Sequence, residues 1–349
     1  MRILFAGKYD PSYNRTRILL DGLASLPGVT VEEYCFRKRS RWNIPALKRA
    51  CNRADVIFLP SFTHTDVPWV RFFTKKPIIF DPLISRYQSK VFDYKVIRPG
   101  SIRARKNFLK DSLALKYADL VICDTQAHGD YFQRTFDIAA EKLRVIQVGV
   151  DINNFYPAAA DKSDLFTVGF YGSFIPLQGV RQILAAATLL KDHTDIRFQL
   201  IGNGFEYKEM LSYAATHQLS NVSFLGWMPY DALNNAVNRF DMTLGIFGSG
   251  EKTAMVIPNK IYHYAALRKP VLTCDTPAIK EVFTHNSNIL LCSHHAADIA
   301  AGILILKNNP SLREQIAGNG YKLITTGYNA SKMAGLLLEA ATTLLNRGR

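Results

Sequence analysis

The chain has 349 residues, 48% apolar and 21% charged, with ordinary Gly and Pro, which excludes the disordered, collagenous and coiled-coil classes. That length exceeds what a single hydrophobic core usually serves, so two domains are expected. The net charge of +14 is one-sided: residues 1–150 hold 26 Lys and Arg against 14 Asp and Glu, and the rest 17 against 15. The first half therefore calls for an anionic partner, whether nucleic acid, acidic lipid or a phosphorylated acceptor.

In chain order, short apolar runs predict strands near Ile3–Ala6, Val29–Cys35, Val56–Leu59, Ile78–Phe80, Leu120–Cys123 and Val145–Val148. Helical periodicity falls near Asn14–Leu26, Pro45–Asn52, Ser101–Tyr117 and Ala127–Phe136. Residues 151–164, with Pro157, three alanines and alternating charge, lack periodicity and read as a linker. A second series has strands near Thr167–Tyr171, Arg197–Ile201, Val222–Leu225, Met242–Ile246, Val271–Thr273 and Ile289–Leu291. Its helices start near Gly179, Glu206, Tyr230, Pro258 and Ile279, and three more close the chain at about 296–307, 310–323 and 330–346. Alternation of this kind predicts two doubly wound α/β domains, 1–155 and 165–328, with ligand at the carboxyl ends of the strands in the cleft between them. Residues 329–349 form a last helix placed to pack back on the first domain.

The five cysteines, Cys35, Cys51, Cys123, Cys274 and Cys292, are odd in number and form no CxxC pair, so neither a zinc site nor a disulfide framework is expected and a reducing compartment fits. The start turns polar after four apolar residues, too few for a signal peptide or for the about 20 of a spanning helix.

The densest motif is Val168-Gly-Phe-Tyr-Gly-Ser-Phe-Ile-Pro-Leu-Gln-Gly-Val180, a strand, a loop holding Gly172 and Gly179, then a helix. Glycines let backbone approach a phosphate and free amides at a helix start attract anions; a plain structural turn reads the same way. Next come Gly202 and Gly204 in Leu200-Ile-Gly-Asn-Gly, and Trp227-Met228 after Phe224-Leu-Gly, where a flat aromatic suits a base. Pro258 is placed for a first helical turn, and Asn259, Lys260 and His263 are spaced to share one helix face. A capped surface helix is the plainer reading of those residues.

These pieces, in this order from Val168 to about Asn288, resemble the C-terminal half of retaining glycosyltransferase family 4, whose two-domain Rossmann-like fold is called GT-B. The resemblance implies transfer of a sugar from a nucleoside diphosphate with retention of configuration and without metal. It departs from the family at three points. Gln178 stands where the family has a lysine; His263 and Met255 stand where it has two glutamates, with Glu251 near but out of register. Ile257-Pro-Asn-Lys260 looks like a branch that replaces the glutamate motif with Pro-Asn-Lys. The resemblance thus implies that Gly172, Ser173, Gly179 and Lys252 or Lys260 carry the leaving diphosphate.

In the first half, the resemblance puts the loop Gly7 to Arg15, including Asn14, over the donor phosphates and the acceptor. His64 after the third strand is a further candidate there. Asp81 occupies the position where the family commonly has a histidine near the donor sugar; it either orients a hydroxyl or caps the turn with Pro82. Asp124 and Thr125 both suit an N-cap. Basic, aromatic stretches at Arg37–Trp42, Pro68–Lys76 and Arg98–Lys110 combine cations with Trp and Phe as interfacial elements do. No nucleic-acid module signature occurs. The expected protein is a cytoplasmic glycosyltransferase, peripheral on the inner face of the membrane, acting on a lipid-linked or cell-surface saccharide. The alternatives are a GT-B epimerase and a catalytically silent binding module.

Overall fold

The computed structural model describes residues 1–161 and 163–347, with only the backbone of Arg41, and divides into two compact units, Met1–Gly149 with the segment from Asn329, and Val150–Tyr328. The first unit runs β1 (Arg2–Gly7), α1 (Asn14–Ala24), β2 (Thr30–Cys35), α2 (Ile44–Arg53), β3 (Val56–Leu59), α3 (Asp66–Phe73) and β4 (Ile78–Phe80). It continues through α4 (Arg86–Gln88, passing into a π turn at Ser89–Asp93), α5 (Ile102–Tyr117), β5 (Leu120–Cys123), α6 (Gln126–Phe136) and β6 (Leu143–Val145). All pairings are parallel, in the order β2-β1-β3-β4-β5-β6. The inner strands Val-Ile-Phe-Leu and Ile-Ile-Phe are buried throughout, as strands covered on both faces must be, whereas edge strand β2 is partly exposed along its length.

The second unit holds β7 (Phe166–Tyr171), α7 (Val180–Leu189), β8 (Ile196–Ile201), α8 (Tyr207–Thr216), β9 (Val222–Gly226), α9 (Leu233–Asn238) and β10 (Met242–Leu244). Then follow α10 (Glu251–Met255), α11 (Asn259–Ala266), β11 (Val271–Cys274), α12 (Pro277–Lys280), β12 (Leu290–Cys292), α13 (Ala296–Asn308) and α14 (Pro310–Gly327). Strand order β12-β11-β10-β7-β8-β9 is that of a dinucleotide-binding sheet. Chain direction across this sheet reverses between β7 and β10, and in the first unit between β1 and β3. Such switch points open a crevice at the carboxyl ends of the strands.

Most elements fall within a few residues of expectation. β6 does not: it pairs Val121 with Leu143 and Cys123 with Val145, then leaves the sheet where β5 ends, so the strand precedes the expected Val145–Val148. Helix α3 was hidden in a stretch read for its cations, because Pro68 sits in its first turn, where a missing N–H is harmless. The linker reading of 151–164 also changes. Phe155 is buried, the Tyr156 and Ala158 amides donate to Asn234 and Asn238, and the Val150 amide donates to Tyr328, so this stretch is part of the second unit. Lys162 in that stretch and residues 348–349 of the last predicted helix lie outside the described residues. No described helix is long and apolar enough to cross a membrane.

The last helix, α15 (Ala330–Arg347), packs on α1 where Gly22 has no side chain: a Cβ there would lie 2.7 Å from that of Ala334. Gly22→Ala should therefore cost about 1–3 kcal/mol through overpacking. Gly335→Ala, on α15 and facing open space, should be neutral or gain up to about 1 kcal/mol from helix propensity. Urea denaturation of the two variants checks both signs.

Candidate functional site

In the second unit the turns after β7 and β10 interlock. Phe247 and Gly248 amides donate to Gln178 and Leu177 carbonyls at 3.1 and 3.2 Å. Gly179 caps the start of α7 at φ +65°, and a Cβ there would lie 2.6 Å from the Gly248 nitrogen. Only glycine allows that approach. Gly202 performs a similar task at β8, since a Cβ would overlap the Gly172 carbonyl oxygen. Gly204 lies as close to the Phe174 backbone. Both were expected at the donor; what the structure gives them is packing beneath the Gly172 turn.

Lys260, the second residue of α11, reaches under that turn. Its ammonium lies 3.5 Å from the centroid of the Phe170 ring and 3.3 Å from the Gly245 carbonyl oxygen. A Cβ on Gly172 would sit 2.9 Å from it and 3.4 Å from the Gln178 Oε1. Lys260 is only 3% exposed and has no carboxylate partner; burial alone holds its pKa well below the ordinary lysine value. Gln178 is buried with Oε1 unpartnered, and so is the Thr253 hydroxyl. The structure thus brings Gly172, Gln178 and Lys260 together, with Ser173 exposed beside them. Lys252 is buried on α10 and Glu251 exposed at its start.

Pro258 is the N-cap of α11 and Asn259 its first, half-buried residue, so the helix begins one residue later than expected. His263 does not share an open face with them. It is stacked on Phe155 at 3.7 Å, hydrogen-bonded through Nδ1 to the Tyr171 hydroxyl, and sealed from solvent. The ring is turned onto Phe155 instead, with its Nδ1 edge taken by the Tyr171 hydroxyl. Trp227 after β9 is 71% exposed, with Met228 half-buried next to it.

The first unit is organised by buried ion pairs. Arg15 Nε donates to Asp81 at 2.6 Å and its Nη1 to the Gln147 carbonyl at 2.5 Å, and both side chains are fully buried. Burial raises the Asp81 pKa, and the Arg15 guanidinium pulls it back down. The two charges need each other once water is gone, and the Asp81 Oδ1 and Arg15 Nη2 are left without a hydrogen-bond partner among the described residues. Asn14 is buried as well, and Gly7 packs on Thr63. Thr125, not Asp124, caps α6; the Asp124 carboxylate instead meets His128 Nδ1 at 2.7 Å. Asp66, which carried no sequence signal beyond its place before Pro68, accepts from the Lys8 amide at 2.9 Å and from Arg39 at 2.5 Å.

His64 is buried with Nε2 donating to the Ile84 carbonyl at 2.9 Å. Burial lowers its pKa to about 4, against the pull of that carbonyl, so the ring is neutral at pH 7. Its folded pKa lies below the unfolded value of 6.5, so the unfolded chain takes up a proton that the folded one refuses until about 4. This contribution to stability is lost as pH falls through that window, by about 3 kcal/mol. Asp111 nearby, raised to about 6 by burial against the Tyr87 amide and Ser85 hydroxyl, acts with the opposite sign. Denaturation of His64→Gln alongside the parent between pH 7 and 4 isolates the histidine: the difference between the two should change steeply with pH.

Residues 153–323 match the family described as Glycosyl transferases group 1. The uncharacterized glycosyltransferase MJ1178 of Methanocaldococcus jannaschii is 28% identical over 224 residues, 62% of this chain and 58% of that protein. The probable glycosyltransferase WbjE of Pseudomonas aeruginosa is 30% identical over 108 residues, 30% of this chain and 25% of that one. The matched regions thus span less than two thirds of these relatives. Among solved structures, Anabaena Alr3699/HepE in complex with UDP aligns over 98% of this chain and 100% of its own at 17% identity and TM-score 0.75. Sucrose-phosphate synthase from Thermosynechococcus elongatus aligns over 99% of both at 14% identity and TM-score 0.77. The fold is therefore GT-B, two Rossmann-like units each built on a parallel six-stranded sheet.

Proposed function

We propose that this protein is a retaining glycosyltransferase of family 4 that moves a sugar from a nucleoside diphosphate to a lipid-linked or cell-surface saccharide at the cytoplasmic face of a membrane. The observation that carries the reading is Lys260, a cation enclosed beside the Gly172 turn with no counter-charge, next to the unpartnered Gln178 Oε1. A diphosphate at the switch point between β7 and β10 supplies the missing negative charge. The amides at the start of α7 add the positive end of a helix dipole. HepE, whose complexes contain UDP and UDP-glucose, supports a uridine donor, and exposed Trp227, after the edge strand β9, is the aromatic we assign to stack on a base.

As the bond to the anomeric carbon breaks, charge grows on the leaving phosphate. Lys260 and the amides of Gly172, Ser173 and Gly179 stabilise it, with Lys252 a second cation on the facing turn. That load is met by the chain itself, so no metal is needed, and turnover should persist in EDTA; its loss there, with recovery on adding Mg²⁺, would reverse this part of the reading. The leaving phosphate then takes the acceptor's proton on the same face, which retains configuration.

Lys260→Met tests the donor site. The thioether fits the apolar surroundings of Phe170 and removes a buried unpaired charge, so the free protein should keep or raise its melting temperature. Affinity for UDP-glucose, read as a thermal shift, should fall by about tenfold or more, the worth of a charge-assisted hydrogen bond. An unchanged UDP-glucose affinity in Lys260→Met sinks the assignment.

A further inference from the structure

The cations of the first unit are not equivalent. Arg39 is paired with Asp66, Arg53 with Glu32 and Arg71 with Asp119. Residues 86–110 differ: they hold eight Lys and Arg against one acid, Asp93, which is buried. Among the described residues, none of the eight forms an ion pair. Some crowd each other: after burial, it is Arg86 and Lys110 that push the Lys90 ammonium below its ordinary value, with buried Asp111 pulling the other way. With Asp111 the one internal carboxylate acting on Lys90, like charges held this close favour an anion from outside.

The same segment exposes apolar side chains. Val96 is 57% exposed on the turn before α5, and Ile102 and Leu109, one above the other on the outer side of that helix, are 73% and 55% exposed, with Lys106 between them. Partly exposed rings continue the surface: Tyr87 meets Phe92 at 5.4 Å and Phe108 at 5.3 Å, and Phe108 is backed by buried Phe136 at 4.9 Å.

We propose that the turn after α4 and the outer side of α5 dock the first unit on an anionic lipid bilayer. Val96, Ile102 and Leu109 enter the boundary between headgroups and acyl chains, and the surrounding cations sit on lipid phosphates. Aliphatic side chains favour lipid over nucleic acid, since Val, Ile and Leu offer no flat face for a base to stack on. The proposal rests on the membrane-facing reading above and, of the three basic, aromatic stretches of the sequence, assigns it to the one at Arg98–Lys110 with the turn before it.

The test is cosedimentation of the full chain with phosphatidylcholine vesicles, with and without phosphatidylglycerol. The parent should pellet only with the anionic vesicles, and Arg98→Glu/Lys106→Glu should lower partitioning by about tenfold or more. Ile102→Ser/Leu109→Ser should weaken it at unchanged charge. Arg37→Glu/Lys38→Glu, an equal change of charge elsewhere, should retain most of the binding. The proposal is overturned if the parent ignores anionic vesicles, if the two charge-reversed pairs lose binding equally, if the Ile102/Leu109 pair loses none, or if an RNA oligomer binds through these residues while vesicles do not. The UDP-glucose thermal shift should be the same in all four proteins. Its absence from the parent would remove the donor reading while leaving the vesicle result to decide the docking surface.

Discussion

A positive charge enclosed without a counter-charge is the constraint around which the second unit is arranged. Lys260 lies against the Phe170 ring, beneath a turn that has no Cβ at Gly172. Desolvating an ammonium without a counter-charge costs the folded chain free energy, of which the Phe170 ring and the Gly245 carbonyl return only a part. The interlocked turns after β7 and β10 keep that charge in place. They approach closely because Gly179 and Gly248 present no side chains to each other. A site held this tightly before ligand arrives spends little of the binding energy on ordering itself.

The first unit solves the opposite problem. Its buried charges are satisfied internally: Arg15 by Asp81 and Gln147, Asp124 by His128, Asp66 by the Lys8 amide and Arg39. The Arg15 and Asp66 pairs tie the segments after β1 and β3 to their neighbours, whereas the Asp124–His128 pair is local to the start of α6. On its outside the unit leaves a further charge excess, in the crowded cations and bare aliphatics of residues 86–110. One unit thus holds its unmet charge within a crevice, the other on a surface, and the ligands suited to each differ accordingly.

Much of the scaffold was legible because its signals are local. Buried parallel strands read as continuous apolar runs, so Val56–Leu59, Ile78–Phe80 and Leu120–Cys123 appear in the structure with the bounds their residues suggest. Glycine turns followed by helices marked the donor half. Where the reading slipped, a non-local contact decided. β6 takes its place from pairing with β5, and residues 150–158 belong to the second unit through Asn234, Asn238 and Tyr328. Asp66 and Thr253 carried no pattern that could have singled them out.

From the order of residues alone came the class of fold, the two-part layout, the one-sided charge and the glycine-turn series that resembles a glycosyltransferase, because periodicity, turn chemistry and composition act between residues near in sequence. Which polar side chains are paired and which are left open was decided only by tertiary structure. Asp81 and Arg15 stand 66 positions apart and neutralise each other. His263 is closed off by Phe155 from another element, while Lys260, three residues earlier, is left without a partner. Helical spacing puts those two side chains near one another, but the direction each faces depends on what the sheet and the incoming segment pack against it.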